Sequence, residues 1–414
     1  MIMFTLKNYQ ENTLRVMRQY LEAARYGNPK SAFEEYLRSR DGGLRREYGP
    51  IEGLDDCPYF CLRLPTGGGK TLLAAHSIKV CGESFLEREY PFVLWLVPTN
   101  TIRSQTLETL RTAGHPNREV LNEAFQGRLE VFDIADFVQI RPSDLREKMC
   151  VVLGTIATLR VEETEGRKVY AHNEDLEPHF SMIPQNFENL ERIEEGADKG
   201  KIKNSFRNLL AIHRPLVIVD EAHNASTSLS FDVLNRIRPA CIIEFTATPA
   251  ANSNILHSVS AAELKAEAMI KLPIILTEHQ TWQDAVHDSL LTRKKLEGLV
   301  KKEKDYIKPI ILIQAESRDK EVTFEVIEKY LVEQEHIDRE KIAIVTGEKR
   351  ELEGINLFDP NCPIETVITV KALAEGWDCP FAYVFCSVAT VHSKRDVEQL
   401  LGRVLRMPYA RKRE

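Results

Sequence analysis

The stretch YFCLRLPTGGGKTLLAAHSI, residues Tyr59–Ile78, joins an apolar, strand-like run to a helix-like run through three consecutive glycines. Glycine lets the backbone approach phosphate oxygens closely because it has no Cβ. Lys70 follows as a cation, and Thr71 supplies a hydroxyl at the start of the expected helix, whose dipole favours anions. The stretch therefore predicts a phosphate-binding loop between a strand and a helix.

The strict form of this pattern has a further glycine five residues before Gly69, where this chain has Leu64. Consecutive glycines can also form a plain strand–turn–helix connection, so the loop alone leaves both interpretations open. The residues of the loop that could contact a nucleotide are Thr66, Gly67, Gly68, Gly69, Lys70 and Thr71.

A second motif favours the nucleotide interpretation. The run LVIVDEAHN, residues 216–224, is an apolar strand that ends in two adjacent carboxylates, Asp220 and Glu221. Two buried carboxylates are costly without a cation or hydrogen-bond donors nearby. We expect Asp220 to hold Mg²⁺, together with Thr71, and Glu221 to act as the general base that orients and deprotonates the attacking water.

Short apolar runs alternate with helix-compatible stretches along most of the 414 residues, as expected of an α/β protein with parallel strands buried on both faces. The expected organisation is an N-terminal helical segment (1–50), a first lobe (51–250), a linker strand and helix (251–300) and a second lobe (301–414). Residues 161–213 lack a clear strand and are expected to be an insertion. It is either a solvated surface excursion or an element that contacts a partner or substrate.

Composition excludes some classes of protein. A net charge of −7 argues against binding nucleic acid through net charge alone, although a local basic groove stays possible. No apolar run reaches the length of a membrane span, and the N-terminus turns polar too early for a signal peptide. The eight cysteines form no C-x-x-C pair, which favours buried thiols in a reducing cytosol over a metal site. We therefore expect a cytoplasmic protein without a membrane partner.

Eight motifs, in order, make the sequence resemble the superfamily 2 helicases and translocases. In the order of motifs I, Ia, Ib, II, III, IV, V and VI they are PTGGGKT (65–71), VPTNTIRSQ (97–105), GTIATLR (154–160), DEAH (220–223), TATPA (246–250), ILIQAES (311–317), ITVKALAEGWDCP (368–380) and QLLGRVLRMP (399–408). The residues of motifs I, V and VI are similar to those of the Res subunit of type III restriction enzymes. Ala222 is a departure, because many Res subunits have proline there.

This resemblance implies two tandem RecA-like parallel-sheet lobes with ATP bound in the cleft between them. It also implies an adenine-reading element at Tyr9-Gln10, although an ordinary amphipathic helix start remains open. In the second lobe, Gly376 and Asp378 are expected to line the same cleft.

Motif VI suggests how the second lobe could take part in hydrolysis. Gln399, Arg403 and Arg406 are spaced i, i+4 and i+7, so they would share one face of a helix. An arginine on that face could neutralise transition-state charge at the γ-phosphate, an effect worth roughly 10³–10⁵ in rate. Either Arg403 or Arg406 could be that arginine.

The resemblance further implies nucleic-acid contacts on the other side of the cleft. The candidates are Thr99, Arg103, Thr155, Arg160, Thr369 and Lys371. A threonine after a strand is also commonly a helix N-cap, so each is a weak indication by itself. His223, Thr246 and Thr248 are expected to couple hydrolysis to strand movement.

Two functions remain open. One is an ATP-dependent helicase or translocase moving along DNA, the motor part of a type III restriction-like system. The other is a nucleic-acid-stimulated ATPase switch that controls a partner nuclease without unwinding. DNA could be duplex or single-stranded, RNA is not excluded, and a methyltransferase or nuclease subunit is an expected partner. The sequence has no recognisable nuclease motif, so nuclease activity would come from a partner or from residues outside this chain.

Overall fold

The structure, a computed structural model, describes most of the chain. The described residues are 5–40, 47–159, 168–220, 228–271, 274–346, 349, 351–352, 355–357, 359–370, 379–388 and 405–408, with backbone only for 228–231. Contacts divide the chain into two units, the first formed by Met1–Pro65 and Gly69–Val259 and the second by Thr66–Gly68 and Ser260–Glu414.

The first unit is built on a seven-stranded parallel sheet in the order β3-β4-β2-β5-β6-β1-β7. Its strands are β1 (Tyr59–Arg63), β2 (Phe92–Val97), β3 (Leu129–Asp133), β4 (Met149–Thr155), β5 (Leu216–Asp220), β6 (Cys241–Thr246) and β7 (Ile255–Ser258). Strands β2, β4, β5 and β6 are buried at every position, which explains their mostly apolar sequences. The parallel sheet predicted from those runs is confirmed.

Helices cover the sheet of the first unit. They are α1 (Asn8–Tyr26), α2 (Pro29–Arg40), α3 (Lys70–Cys81), α4 (Asn100–Arg111), α5 (Pro116–Ala124), α6 (Pro142–Glu147), α7 (Glu177–Phe180), α8 (Phe206–His213) and α9 (Ser228–Ile237). A π-helical turn, Gly82–Leu86, continues α3. Helix α1 packs on the sheet through Tyr20, whose ring lies edge-on to Phe60 of β1 at 5.1 Å. The N-terminal helical segment is therefore part of the first unit's core.

The second unit has a four-stranded parallel sheet in the order β11-β8-β10-β9. Its strands are β8 (Ile310–Gln314), β9 (Ile342–Val345), β10 (Thr366–Thr369) and β11 (Ala382–Ser387), and its helices are α10 (Ala261–Ala266), α11 (Trp282–Val300) and α12 (Phe324–Glu333). Two parallel α/β sheets in one chain confirm the tandem RecA-like fold class.

The linker differs in part from expectation. The predicted long charged helix is α11, but the predicted strand before it is wrong for residues 274–279, which are coil. Ile275 and Leu276 are 85% and 83% exposed there. Pro273 cannot donate a backbone hydrogen bond to a neighbouring strand, which disfavours a strand at this point.

The described part of the insertion, residues 168–213, is more than a solvated excursion. Eight of its apolar side chains are buried in the core of the first unit, namely Val169, Tyr170, Leu176, Phe180, Ile202, Phe206, Leu209 and Leu210. An apolar side chain of this size gains about 1.5–3 kcal/mol on full burial, so the insertion helps to stabilise the unit. The stretch between them, 181–201, is mostly exposed.

Two expectations about side chains and membranes can be compared with the described residues. All eight cysteines are buried free thiols, as predicted. Among the described residues, no helix combines the length and apolar character needed to cross a membrane.

Glu244 of β6 gives a testable pH dependence. It is 3% exposed and accepts a hydrogen bond from the Tyr59 hydroxyl at 2.9 Å. Burial raises the pKa of Glu244 to about 7, compared with about 4.3 in an unfolded chain. Because the folded protein binds this proton more tightly, the carboxyl stabilises the fold at low pH, and that contribution is lost as the pH rises towards 7.

We predict that Glu244→Gln, which cannot ionise, becomes more stable relative to the unmodified protein as the pH rises from 4 to 8. The difference in unfolding free energy should change by on the order of 3 kcal/mol over that range. Chemical denaturation at several pH values measures it, with the exposed Glu52→Gln as the matched control. A difference that stays constant from pH 4 to pH 8 would contradict the prediction.

Candidate nucleotide-binding site

The site is organised by three adjacent parallel strands, β5, β6 and β1. Their carboxyl ends must lie at the same edge of the sheet, as the register pairs Asp220 with Phe245 and Arg63 with Thr246. This edge therefore presents Asp220, Thr246 and the start of the glycine loop. A ligand at the carboxyl ends of a parallel α/β sheet occupies the usual position for this class of fold.

Leu64 explains why the strict glycine pattern fails. Its backbone N–H donates to the Thr246 carbonyl at 3.0 Å, which extends the pairing of β1 and β6 by one residue. The side chain of Leu64 is fully buried. A glycine here would leave a gap in the core, so the first residue of the usual pattern is replaced by a strand residue.

The loop itself requires glycine at two positions. Gly67 and Gly69 have φ of +85° and +73°, in the left-handed region that other residues adopt at a cost. Gly69 is the residue before α3, so Lys70 and Thr71 begin the helix. The backbone N–H groups and the dipole of such a first turn favour an anion.

Gln10 of α1 lies against this loop. Its side chain is 3% exposed, and Oε1 accepts a hydrogen bond from the Lys7 N–H at 2.9 Å. A Cβ on Gly69 would lie only 2.8 Å from Gln10 Nε2. The first turn of α1 is therefore placed at the loop, which is where an adenine-reading element would have to be. The adenine contact itself stays a prediction.

The two other strand ends carry polar side chains. Asp220 is 7% exposed at the end of β5. Thr246 is fully buried, and its Oγ1 accepts from the Thr248 N–H at 3.1 Å, which closes the turn after β6. Oxygen ligands such as the Asp220 carboxylate and the Thr71 hydroxyl suit Mg²⁺, so the residues present fit this metal.

The expected nucleic-acid contacts of the first unit also have structural partners. Thr99 is the N-cap of α4 and accepts from the Ile102 N–H at 3.4 Å. Arg103 pairs with Asp133, with Nε and Oδ2 3.5 Å apart. Asp133 was not predicted, although it ends β3 at the same edge of the sheet and could have been inferred from the parallel order.

Thr155 and Thr369, two further residues of the expected interface, are buried. Thr155 Oγ1 lies 2.7 Å from the Oγ1 of Thr158 and accepts a hydrogen bond from the Thr158 N–H. Thr369, at the end of β10, is fully buried. Direct phosphate contacts by Thr155 and Thr369 would thus require a local rearrangement, and they stay predictions.

The helical face predicted for motif VI is wrong at Arg406. This residue forms an isolated antiparallel bridge with Ile270, flanked by a hydrogen bond from the Met407 N–H to the Met269 carbonyl at 3.0 Å. Pro408 disfavours helical geometry at Met407, so a helix would end before it, and the pairing with residues 269–271 holds Arg406 in an extended conformation. The remaining predicted site residues lie outside the described part of the chain: Arg160, Glu221, His223, Lys371, Gly376, Asp378, Gln399 and Arg403.

A parallel α/β sheet with a glycine loop after its first strand, and an acidic strand end two strands away, is the arrangement of the P-loop ATPases. The chain belongs to the family described as "Type III restriction enzyme, res subunit", whose family model matches residues 3–251, more than half of its length. A comparison with curated proteins gave no significant match.

Solved structures with a similar fold are distant in sequence. Dbp5 of S. cerevisiae bound to RNA and ADP BeF3 is 17% identical, over 89% of this chain and 82% of its own, with a TM-score of 0.40. The ATP-dependent type ISP restriction-modification enzyme LlaBIII bound to DNA is 13% identical over 98% of this chain and 27% of its own, with a TM-score of 0.48. The Sulfolobus solfataricus SWI2/SNF2 ATPase core in complex with dsDNA is 14% identical over 93% of this chain and 82% of its own, with a TM-score of 0.33.

The close approach at Gly69 generates a prediction. Gly69→Ala should weaken ATP binding by about tenfold or more, equivalent to about 1.4 kcal/mol or more, because the added Cβ forces the Gln10 amide or the loop to move. Gly114→Ala is the matched control, since Gly114 has φ of +82° and a Cβ added there would have no neighbouring atom within 4 Å. It should bind ATP normally while sharing the backbone strain. Equal ATP affinity in both variants would contradict the placement of Gln10.

Proposed function

We propose that this protein is an ATP-driven nucleic-acid translocase or helicase that moves along DNA, the motor part of a type III restriction-like system. The observation that carries the proposal is the glycine loop between β1 and α3, with Asp220 at the same sheet edge and Gln10 against Gly69. Family membership supports it independently, because the matched region contains this whole site.

Each residue of the site has a part in this proposal. Lys70 and the loop N–H groups bind the β- and γ-phosphates, and Gln10 reads the adenine. Thr71 and Asp220 hold Mg²⁺, which would neutralise charge on the phosphate oxygens. Glu221 orients and deprotonates the attacking water.

The second unit completes the cycle in this proposal. Arg403 or Arg406 neutralises the charge that develops on the γ-phosphate, and Gln399 assists. ATP draws the two units together and hydrolysis releases them, so the grip on one strand shifts with each cycle. Contacts to that strand come from backbone N–H groups, hydroxyls and a few cations, which hold phosphates without reading bases.

Substitution of the phosphate and water-activating groups tests the catalytic site. Lys70→Ala and Glu221→Gln should each lower ATP turnover by about a hundredfold or more. Glu221→Gln should still bind ATP, whereas Lys70→Ala should bind it more weakly. Lys79→Ala is the matched control, because Lys79 lies in the last turn of the same helix and is half-exposed. Wild-type turnover by both Lys70→Ala and Glu221→Gln would refute the assignment.

Displacement assays separate a motor from a switch. A translocase should displace a triplex-forming strand, and a helicase should also displace one strand of a duplex, both only with ATP. Glu221→Gln should do neither, which controls for displacement by binding alone. If ATP hydrolysis responds to DNA but neither strand is displaced, the chain is an ATPase switch that controls a partner, with a nuclease or methyltransferase subunit as the candidate.

A further inference from the structure

The insertion between β4 and β5 forms, together with Arg236 of α9, a cluster of polar and aromatic side chains that the proposed reaction does not use. It consists of Tyr170, Glu191, Arg207 and Asn208 from the insertion and Arg236 from α9, called here the insertion cluster. The cluster contacts the turn Ala157–Leu159, which follows β4. Through Arg236 it includes α9, which begins eight residues after Asp220.

Tyr170 contacts both of these parts. Its hydroxyl donates a hydrogen bond to the Leu159 carbonyl at 2.9 Å. The guanidinium carbon of Arg236, on α9, lies 4.0 Å from the centre of the Tyr170 ring, within the range of a cation–π interaction. Tyr170 is only 5% exposed and its hydrogen bond to Leu159 is buried, whereas the Arg236 side chain is 38% exposed. A single side chain thus joins the turn after β4 to α9.

Glu191 strengthens this connection on the side of α9. Its Oε1 accepts a hydrogen bond from Arg236 at 2.6 Å and lies 3.6 Å from Arg207 Nε. Bidentate or paired arginine–carboxylate contacts that are partly buried hold their geometry better than exposed ion pairs. Arg236 is therefore held between a carboxylate and an aromatic ring, both supplied by the insertion.

Asn208 of α8 holds Glu191 in place. It is fully buried, and its Oδ1 accepts from the Glu191 N–H at 2.9 Å while its Nδ2 donates to the Glu191 carbonyl at 2.8 Å. These two hydrogen bonds fix the backbone of Glu191, and so place its carboxylate beside Arg236.

Burial also keeps the tyrosine contact intact. It raises the pKa of Tyr170, so the hydroxyl stays protonated and remains a donor to Leu159. The nearby cations Arg236 and Arg207 act on this pKa in the opposite direction, and Glu191 adds to the rise. Next to the turn, motif Ib supplies the expected phosphate contact at Thr155, four residues before Leu159.

We propose that the insertion cluster couples nucleic-acid binding at the turn after β4 to ATP hydrolysis at the end of β5. Tyr170, Glu191 and Arg236 are positioning residues in this proposal. A phosphate bound at the turn shifts the Leu159 carbonyl, Tyr170 follows it, and Arg236 carries the shift to α9, the first described helix after Asp220. This inference rests on the proposed function and adds a regulatory path to it.

The test compares basal and nucleic-acid-stimulated ATP turnover in the full chain. Tyr170→Phe keeps the ring under Arg236 and removes only the hydrogen bond to Leu159. Arg236→Gln removes the cation from both the ring and Glu191. Each variant should keep basal turnover and thermal stability close to those of the unmodified protein, while stimulation by DNA falls about fivefold or more.

Matched controls remove the same groups elsewhere in the first unit. Tyr90→Phe deletes a hydroxyl that contacts Glu89 and Arg128 on the surface. Arg18→Gln deletes an arginine that is 41% exposed and lies 2.9 Å from Glu83, a pair comparable to Arg236 and Glu191. Both controls should retain full stimulation.

A double variant shows whether the two residues act on one path. Tyr170→Phe with Arg236→Gln should lose no more stimulation than the stronger single variant, because both interrupt the same connection. Full stimulation in the single variants would overturn the inference, and so would a parallel fall in basal and stimulated turnover, which indicates a structural role only. If the unmodified protein is not stimulated by any nucleic acid, the proposed function fails and the inference fails with it.

Discussion

The parallel pairing of β5, β6 and β1 is the constraint on which the candidate site depends. Parallel strands end at a common edge, so residues that are about 150 positions apart in sequence, such as Gly69 and Asp220, belong to one edge of one sheet. The hydrogen bond from the Leu64 N–H to the Thr246 carbonyl extends the pairing of β1 and β6 to the residue just before the glycine loop. A shift of one residue in that register would turn every side chain of β1 to the opposite face.

Segments outside the core motif are integrated into the first unit. Helix α1 buries Tyr20 against Phe60 and places Gln10 against Gly69, so the N-terminal segment contacts both the glycine loop and the hydrophobic core. The insertion similarly buries Tyr170 while linking the turn after β4 to α9. In both cases one set of residues contributes to the stability of the unit and to the local geometry around the strand ends.

Short sequence patterns were enough to predict the elements that depend only on neighbouring residues. The apolar runs of the buried strands and the glycines at Gly67 and Gly69 were sufficient for the parallel sheets and the loop. The helix expected at Arg406 was wrong because Pro408 and pairing with Ile270 outweighed the i, i+4, i+7 spacing. Such pairing depends on residues more than a hundred positions away, which no short window of sequence contains.

The burial of the insertion was missed for a related reason. Its many charges suggested a solvated segment, but a few spaced apolar residues are enough to anchor it, and Asn208 satisfies backbone groups that would otherwise need water. Thr99 shows the reverse case, since the general preference for threonine at helix N-caps correctly indicated its structural role. Function at such positions cannot be separated from capping by residue type alone.

The most direct measurement is the steady-state rate of ATP hydrolysis by the unmodified protein with duplex DNA, single-stranded DNA or RNA. The salt concentration must be fixed, because phosphate contacts weaken steeply as salt rises. A nucleic-acid-driven ATPase should hydrolyse ATP and respond to at least one of these polymers by about fivefold or more. Absence of ATP hydrolysis, or a hydrolysis rate that none of the three polymers changes, would contradict the proposed function.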